Sequence, residues 1–313
     1  MPENFADRLL AAQGATQSRI VVGLDPVWDS LPGPLRAAAA SRADGGANSE
    51  LEAACWAFRE FCEGIVAATG GAACAFKPQV AFFERYGSAG LAVLEDILRG
   101  HQDKLFIGDA KRGDIGSTSA AYASAYFGDG APLGCAAVTH NAYLGLDTIE
   151  PYLPHLGAGH GMFVLAKTSN PGSGDFQDLE VSSATGPAEL LYVRVARRVG
   201  GLGAQFVGEC GFSALGLVVG ATYPEAARAV RAAAPQALIL VPGLGFQGGN
   251  PQAADAFCDA RGLGAVFNFS RGVIYAWQHG PDPGRFNEEQ WPDAAAHAAE
   301  HYRGVLNGVL GQV

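Results

Sequence analysis

Lys104-Leu-Phe-Ile-Gly-Asp-Ala-Lys-Arg-Gly-Asp-Ile-Gly-Ser-Thr118 is the stretch from which the rest of the chain can be read. Leu105, Phe106 and Ile107 form a short apolar run of the kind that becomes a buried strand. Charges follow at once: Asp109, Lys111, Arg112 and Asp114. Strand side chains alternate faces, so Asp109 and Lys111 point the same way. Asp114 falls beyond the expected strand end, in a Gly-containing turn, and need not share their site. Opposite charges held where a buried strand surfaces are costly unless they are paired or used. A D-x-K taken alone reads as a strand-end salt bridge.

Two more apolar runs end the same way. Residues 73–79, ACAFKPQ, finish in Lys77 before Pro78, and residues 20–26, IVVGLDP, finish in Asp25. Successive runs that each deliver an ionisable residue into turn chemistry suit a parallel α/β barrel, where strand C-terminal ends build one shared site. Further short runs at 136–139, 162–166, 215–219, 238–241 and 265–269 bring the expected strands to eight. The expectation is a (β/α)8 TIM barrel formed by residues 1–313 as one domain. About 250 residues is typical of that fold. The surplus goes to a long first βα loop (26–48), a Gly- and Ser-rich lid loop after strand 5 (168–177, TSNPGSGDFQ) and the tail. Ser49 is expected to cap a helix reaching about residue 69, with Glu52 completing a capping box. Other helices are expected at about 147–156 and 187–199, with one or two closing helices at 290–310.

Taken together, Asp25, Lys77, the D-x-K-x-x-D of Asp109, Lys111 and Asp114, Thr118, and Arg271-Gly272 after the last strand resemble the orotidine 5′-phosphate decarboxylase family. The wording VGLDP, FKPQ and AKTSNPGSG is similar to its longer bacterial branch. The resemblance implies cofactor-independent decarboxylation of orotidine 5′-monophosphate to uridine 5′-monophosphate in a homodimer. It implies Lys111 beside the reacting carbon, Asp109 near the departing carboxylate, and Lys77 at the ribose holding Asp109. Asp114 and Thr118 would enter from the neighbouring subunit. Asp25 would bond the ribose and Ser169 the pyrimidine edge. The alternating order of charges has a physical logic, since each keeps its neighbours ionised. That argues against a Schiff-base role for Lys111. The loop His140-Asn141-Ala142-Tyr143 and the long lid fit the shorter family members poorly.

Gly243-Leu-Gly245-Phe-Gln-Gly248 satisfies G-x-G-x-x-G. It stands alone near the C-terminus with no second βαβ half beyond it, so dinucleotide binding is disfavoured. Barrels commonly hold phosphate after strands seven and eight. This loop, with Gln247 as an added donor, and Arg271-Gly272 with a guanidinium and a helix-start amide, suit that task.

Composition narrows the classes. The chain has 313 residues, 49% hydrophobic and 17% charged, as in a globular enzyme. A net charge of −10 argues against nucleic acid, which needs a basic footprint. The six cysteines include no C-x-x-C pair and read as core hydrophobes in a reducing cytoplasm. Residues 1–20 lack a signal pattern and suggest an amphipathic helix built on Phe5, Leu9 and Leu10. No metal site is expected, because His140, His155 and His160 lack ligand spacing. The rival readings are a Mg²⁺-dependent sugar-phosphate decarboxylase or epimerase with the same D-x-K-x-x-D, a Schiff-base aldolase, and a silent nucleotide-binding barrel.

Overall fold

Short β-branched and apolar runs separated by Gly, Pro and helical stretches give β1 (Ile20–Leu24), β2 (Ala75–Pro78), β3 (Ile107–Arg112), β4 (Ala137–His140) and β5 (Gly161–Lys167). After a hairpin of β6 (Glu180–Ser183) and β7 (Gly186–Leu190) come β8 (Ser213–Val219), β9 (Ala237–Pro242) and β10 (Ala265–Phe269). The computed structural model describes residues 3–43, 45–46, 48–128, 130–183, 186–244 and 249–313. All of the strands outside the hairpin are parallel and run β2-β1-β10-β9-β8-β5-β4-β3. The bridges Phe76 to Phe106 and Gln79 to Asp109 join the two outer edges, so the sheet closes into a (β/α)8 TIM barrel.

Period two sorts the strand residues into layers. Val21, Ala75, Ile107, Ala137, Phe163, Ala214, Leu238 and Val266 point inward and pack together. Their neighbours Ile20, Val22, Phe76, Val138, Val164, Leu215, Ile239 and Phe267 point outward against the helices. The inner layer is sealed at its floor by the N-terminal helix Phe5–Thr16, whose Phe5, Ala6 and Leu9 are wholly buried in it. Phe5 meets Phe163 edge to face at 6.0 Å. Gly161 makes room for that ring, since a Cβ there would sit 2.2 Å from Phe5. Asn4 caps the helix by accepting from the Ala6 amide at 2.8 Å.

Several expected elements differ in detail. Residues 26–48 contain a 3-10 turn, Trp28–Ser30, and a helix, Gly33–Arg42. The helix Ser49–Thr69 has Asn48 at its N-cap with no side-chain cap bond, so the capping box is not formed. The stretch 147–156 breaks into 3-10 turns Leu146–Thr148 and Glu150–Tyr152 and a short helix Leu153–Gly157, because Pro151 and Pro154 lack the amide a helix would use. The helix expected from 187 begins later, as Leu191–Gly203, because Gly186–Leu190 pairs antiparallel with Glu180–Ser183. The lid holds a 3-10 turn, Pro171–Ser173, and a helical turn, Gly174–Gln177. The tail ends in one helix, Trp291–Leu310. Among the described residues no helix is long and apolar enough to cross a membrane.

Candidate active site at the C-terminal mouth of the barrel

Counting on by twos from the inner layer places the polar side chains. Val21 leads through Gly23 to Asp25, Ala75 to Lys77 and Gln79, and Ile107 to Asp109 and Lys111. Ala137 leads to Thr139 and Asn141, and Val266 to Asn268 and Ser270. All of these polar residues line one cavity of about 1110 Å³ at the strand ends.

At its centre is the Asp109 carboxylate. Lys77 donates to Oδ2 at 2.6 Å and Gln79 Nε2 to the same oxygen at 3.2 Å. Lys111 donates to Oδ1 at 2.5 Å and Thr139 Oγ1 at 3.0 Å. Lys77 is sealed in, its side chain 4% exposed, whereas Lys111 is 45% exposed and faces the cavity. Burial alone would raise the Asp109 pKa, but Lys77 and then Lys111 outweigh it and hold the carboxyl well below the usual range. Burial alone would lower the Lys77 pKa; Asp109, then Asp25, reverse that and raise it. The two groups therefore fix each other as ions.

Lys111 has a left-handed backbone, φ 47°, which a residue with a Cβ rarely adopts. Its amide donates to Thr139 Oγ1 at 2.9 Å. Thr139 thus receives from the Lys111 backbone and donates to the carboxylate that holds the Lys111 side chain. Register between β3 and β4 shifts at this point, from Gly108 opposite Val138 to Arg112 opposite His140. The irregularity is what lets the chain turn at Lys111.

Asp25 has its pKa raised by burial, with Lys77 and the Ser270 hydroxyl working against the rise. Its Oδ1 and the Oδ1 of Asn268 are shut off from water without a hydrogen-bond partner, while Asn268 Nδ2 donates to Ser270 Oγ at 3.1 Å. His140 faces away from the cavity, bonded to Thr148 at 3.0 Å, and burial pushes its pKa down to about 4.

Of the residues named from sequence, Asp25, Lys77, Asp109, Lys111, Ser169, Arg271 and Gly272 come together around this cavity. Asp114 and Thr118 do not line it. Asp114 accepts from the Ile115 amide at 2.8 Å, and Thr118 is exposed. Gln247 lies outside the described residues, as do Gly245 and Gly248 of the glycine motif. Gly243 follows β9 inside a closed barrel, which is not the sheet a dinucleotide fingerprint requires. Gln79, Thr139, Asn141, Asn268 and Ser270 were missed; following each strand's alternation through Thr139 and Asn268 and on to Gln79, Asn141 and Ser270 would have found them. Among the described residues no group of three or more His, Cys, Asp or Glu gathers as a metal site.

The family model for the Orotidine 5′-phosphate decarboxylase / HUMPS family matches residues 18–278. An orotidine 5′-phosphate decarboxylase of Rhodopirellula baltica is 39% identical over 312 residues, 97% of this chain and 99% of that one. The solved OMP decarboxylase of Leishmania donovani superposes with a TM-score of 0.71 at 32% identity, covering 97% of this chain and 98% of its own. The longer UMP synthase of the same organism matches 98% of this chain with a TM-score of 0.74 at 32% identity; the chain spans 57% of its length. A barrel with a Lys-Asp-Lys cluster at its mouth, matched over nearly its whole length by these proteins, belongs to the orotidine 5′-phosphate decarboxylase family.

Proposed function

We propose that the chain is a carboxy-lyase of pyrimidine biosynthesis that converts orotidine 5′-monophosphate to uridine 5′-monophosphate without a cofactor, with Lys111 as the reacting cation. The observation that carries this reading is one buried carboxylate, Asp109, bridged on its two oxygens by the ammonium groups of Lys77 and Lys111.

Breaking the bond from pyrimidine C6 to its carboxylate releases CO2 and leaves the electron pair in an orbital outside the π system. Such reactions need about 20 kcal/mol or more from the protein. General acid catalysis supplies roughly 10²–10⁴-fold, which leaves most of the barrier untouched. The larger share comes from charge set in place beforehand. Lys111 meets that need: its backbone is held by Thr139 and its ammonium by Asp109. Its Nζ faces the developing carbanion, then gives C6 a proton. Asp109 lies by the departing carboxylate and Lys77 holds Asp109 from behind. Asp25 bonds the ribose and Ser169 the pyrimidine edge. Arg271, Gly272 and Gln247 hold the phosphate, whose binding energy is realised in the transition state.

The working form in this reading is a homodimer in which Asp114 and Thr118 complete the partner's site. Support comes from their position outside this chain's own cavity. Exposed apolar side chains also stand on the segments that follow β3 and β4: Ile115 is 56% exposed, Tyr143 81% and Leu144 55%. Residues 1–313 act as a single barrel domain. A cytoplasmic setting fits the six free cysteines, four of them buried.

The direct test is loss of orotidine 5′-monophosphate absorbance on adding the protein, in buffer containing a chelator. Turnover under those conditions is expected. No change with or without Mg²⁺ rejects the reading, and turnover of a sugar phosphate only with Mg²⁺ would replace it with the rival.

A further inference from the structure

Lys167 ends β5, where the alternation through Phe163 and Leu165 would aim it into the cavity. It does not line the cavity. Leu165 pairs with Val218 but Lys167 with Val219, so β5 carries one extra residue there, a bulge that re-aims the side chain. Lys167 turns to the outer side of the sheet, 2% exposed, with its Nζ 4.6 Å from the Tyr223 ring centroid. There it donates to both oxygens of Asp178, at 2.7 and 2.8 Å.

Asp178 stands at the far end of the lid that begins one residue after Lys167. A second pair of bonds joins the same two ends. Gln177 Oε1 accepts from the Thr168 amide at 2.9 Å, and Gln177 Nε2 donates to Thr168 Oγ1 at 2.8 Å. Residues 168–178 therefore form a loop clasped at its base, with Ser169 inside the clasp. Behind Ser169 is Gly220, where a Cβ would come within 2.8 Å of the Ser169 Cα. A water-excluded ammonium whose carboxylate lies across the loop makes opening expensive, since separation strands a buried charge.

We propose that Lys167 is a positioning residue, latched by Asp178 so that the lid stays closed at its base and Ser169 stays aimed into the cavity. The link to catalysis rests on Ser169 touching the substrate, as argued above.

Asp178→Asn tests it best, because that half-exposed side chain keeps its shape and loses only its charge. The expected result is a fall in kcat/KM for orotidine 5′-monophosphate of roughly 10- to 100-fold, the scale of a small misplacement near the chemistry. Chymotryptic cleavage after Phe176, already 62% exposed, should quicken. Lys167→Arg, which can still span both carboxylate oxygens, should retain most activity where Lys167→Met does not. Ser169→Ala should hurt the parent chain but add little in the Asp178→Asn background, since coupled residues are not additive. Unchanged kcat/KM in Asp178→Asn overturns the latch, even if the melting temperature drops. Additive losses overturn the link to Ser169. A parent chain indifferent to Ser169→Ala refutes the serine's role instead, and the cleavage and kcat/KM of Asp178→Asn still decide the latch.

Discussion

Asp109 accepts hydrogen bonds from Lys77, Gln79, Lys111 and Thr139, so its charge organises four side chains from the ends of three neighbouring strands. Replacing it with Asn leaves Lys77 buried and unpaired. Breaking a buried pair from one side costs about 3–5 kcal/mol. Asp109→Asn should therefore lower unfolding free energy by that amount in urea titration, and abolish turnover as Lys111 loses its anchor. His140 makes a separate prediction. Its folded pKa, about 4, lies below its ordinary 6.5, so the unfolded chain takes up the proton first as pH falls. This buried imidazole costs nothing above pH 6.5 and removes stability below it, about 2 kcal/mol by pH 5. His140→Gln should flatten that part of the stability-against-pH curve; an unchanged acid limb would show that other groups set it.

At the scale of elements, the floor and the mouth of the barrel are built by the same alternation but do separate work. Phe5 is wholly buried at the floor, against Phe163 and Gly161, far along the strands from Lys111. Phe5→Ala should cost about 3–5 kcal/mol of stability and leave KM and kcat near their parent values below the melting range. A changed KM would mean that floor packing reaches the mouth. The strands were legible in the sequence because each is a short apolar run, and so were Asp25, Lys77, Asp109 and Lys111, because charge at the end of such a run is conspicuous. Thr139, Asn268 and Ser270 carry no charge and show only when the alternation is followed residue by residue to the end of the strand. Where the alternation breaks, at Lys167, register with the neighbouring strand decides the outcome, and one chain read alone does not contain it. The β6–β7 hairpin was hidden for a related reason: Gly186–Leu190 is held as a strand by pairing with Glu180–Ser183, not by its own composition.

At the scale of the whole molecule, the dimer reading has a direct check. Lys111→Ala and Asp114→Ala chains should each be inactive alone. Mixed, they should recover up to about a quarter of parent activity, the most expected if half the dimers are mixed and each has one intact site. No recovery, with mixed dimers demonstrated, would mean that Asp114 serves its own chain or none. The barrel floor raises a different matter. Gln13, in the plug helix, donates to the carbonyl of Ala265 in β10 at 3.2 Å, while Arg303 donates to Thr16 and Asn307 to Gln17. During synthesis on the ribosome, the plug helix is made before β10 and the closing helix, so these bonds wait until both have emerged. Until then Phe5 and Leu9 lack the full apolar seat they occupy in the finished barrel, and a chaperone that shields the plug helix over that interval would guard against misassembly.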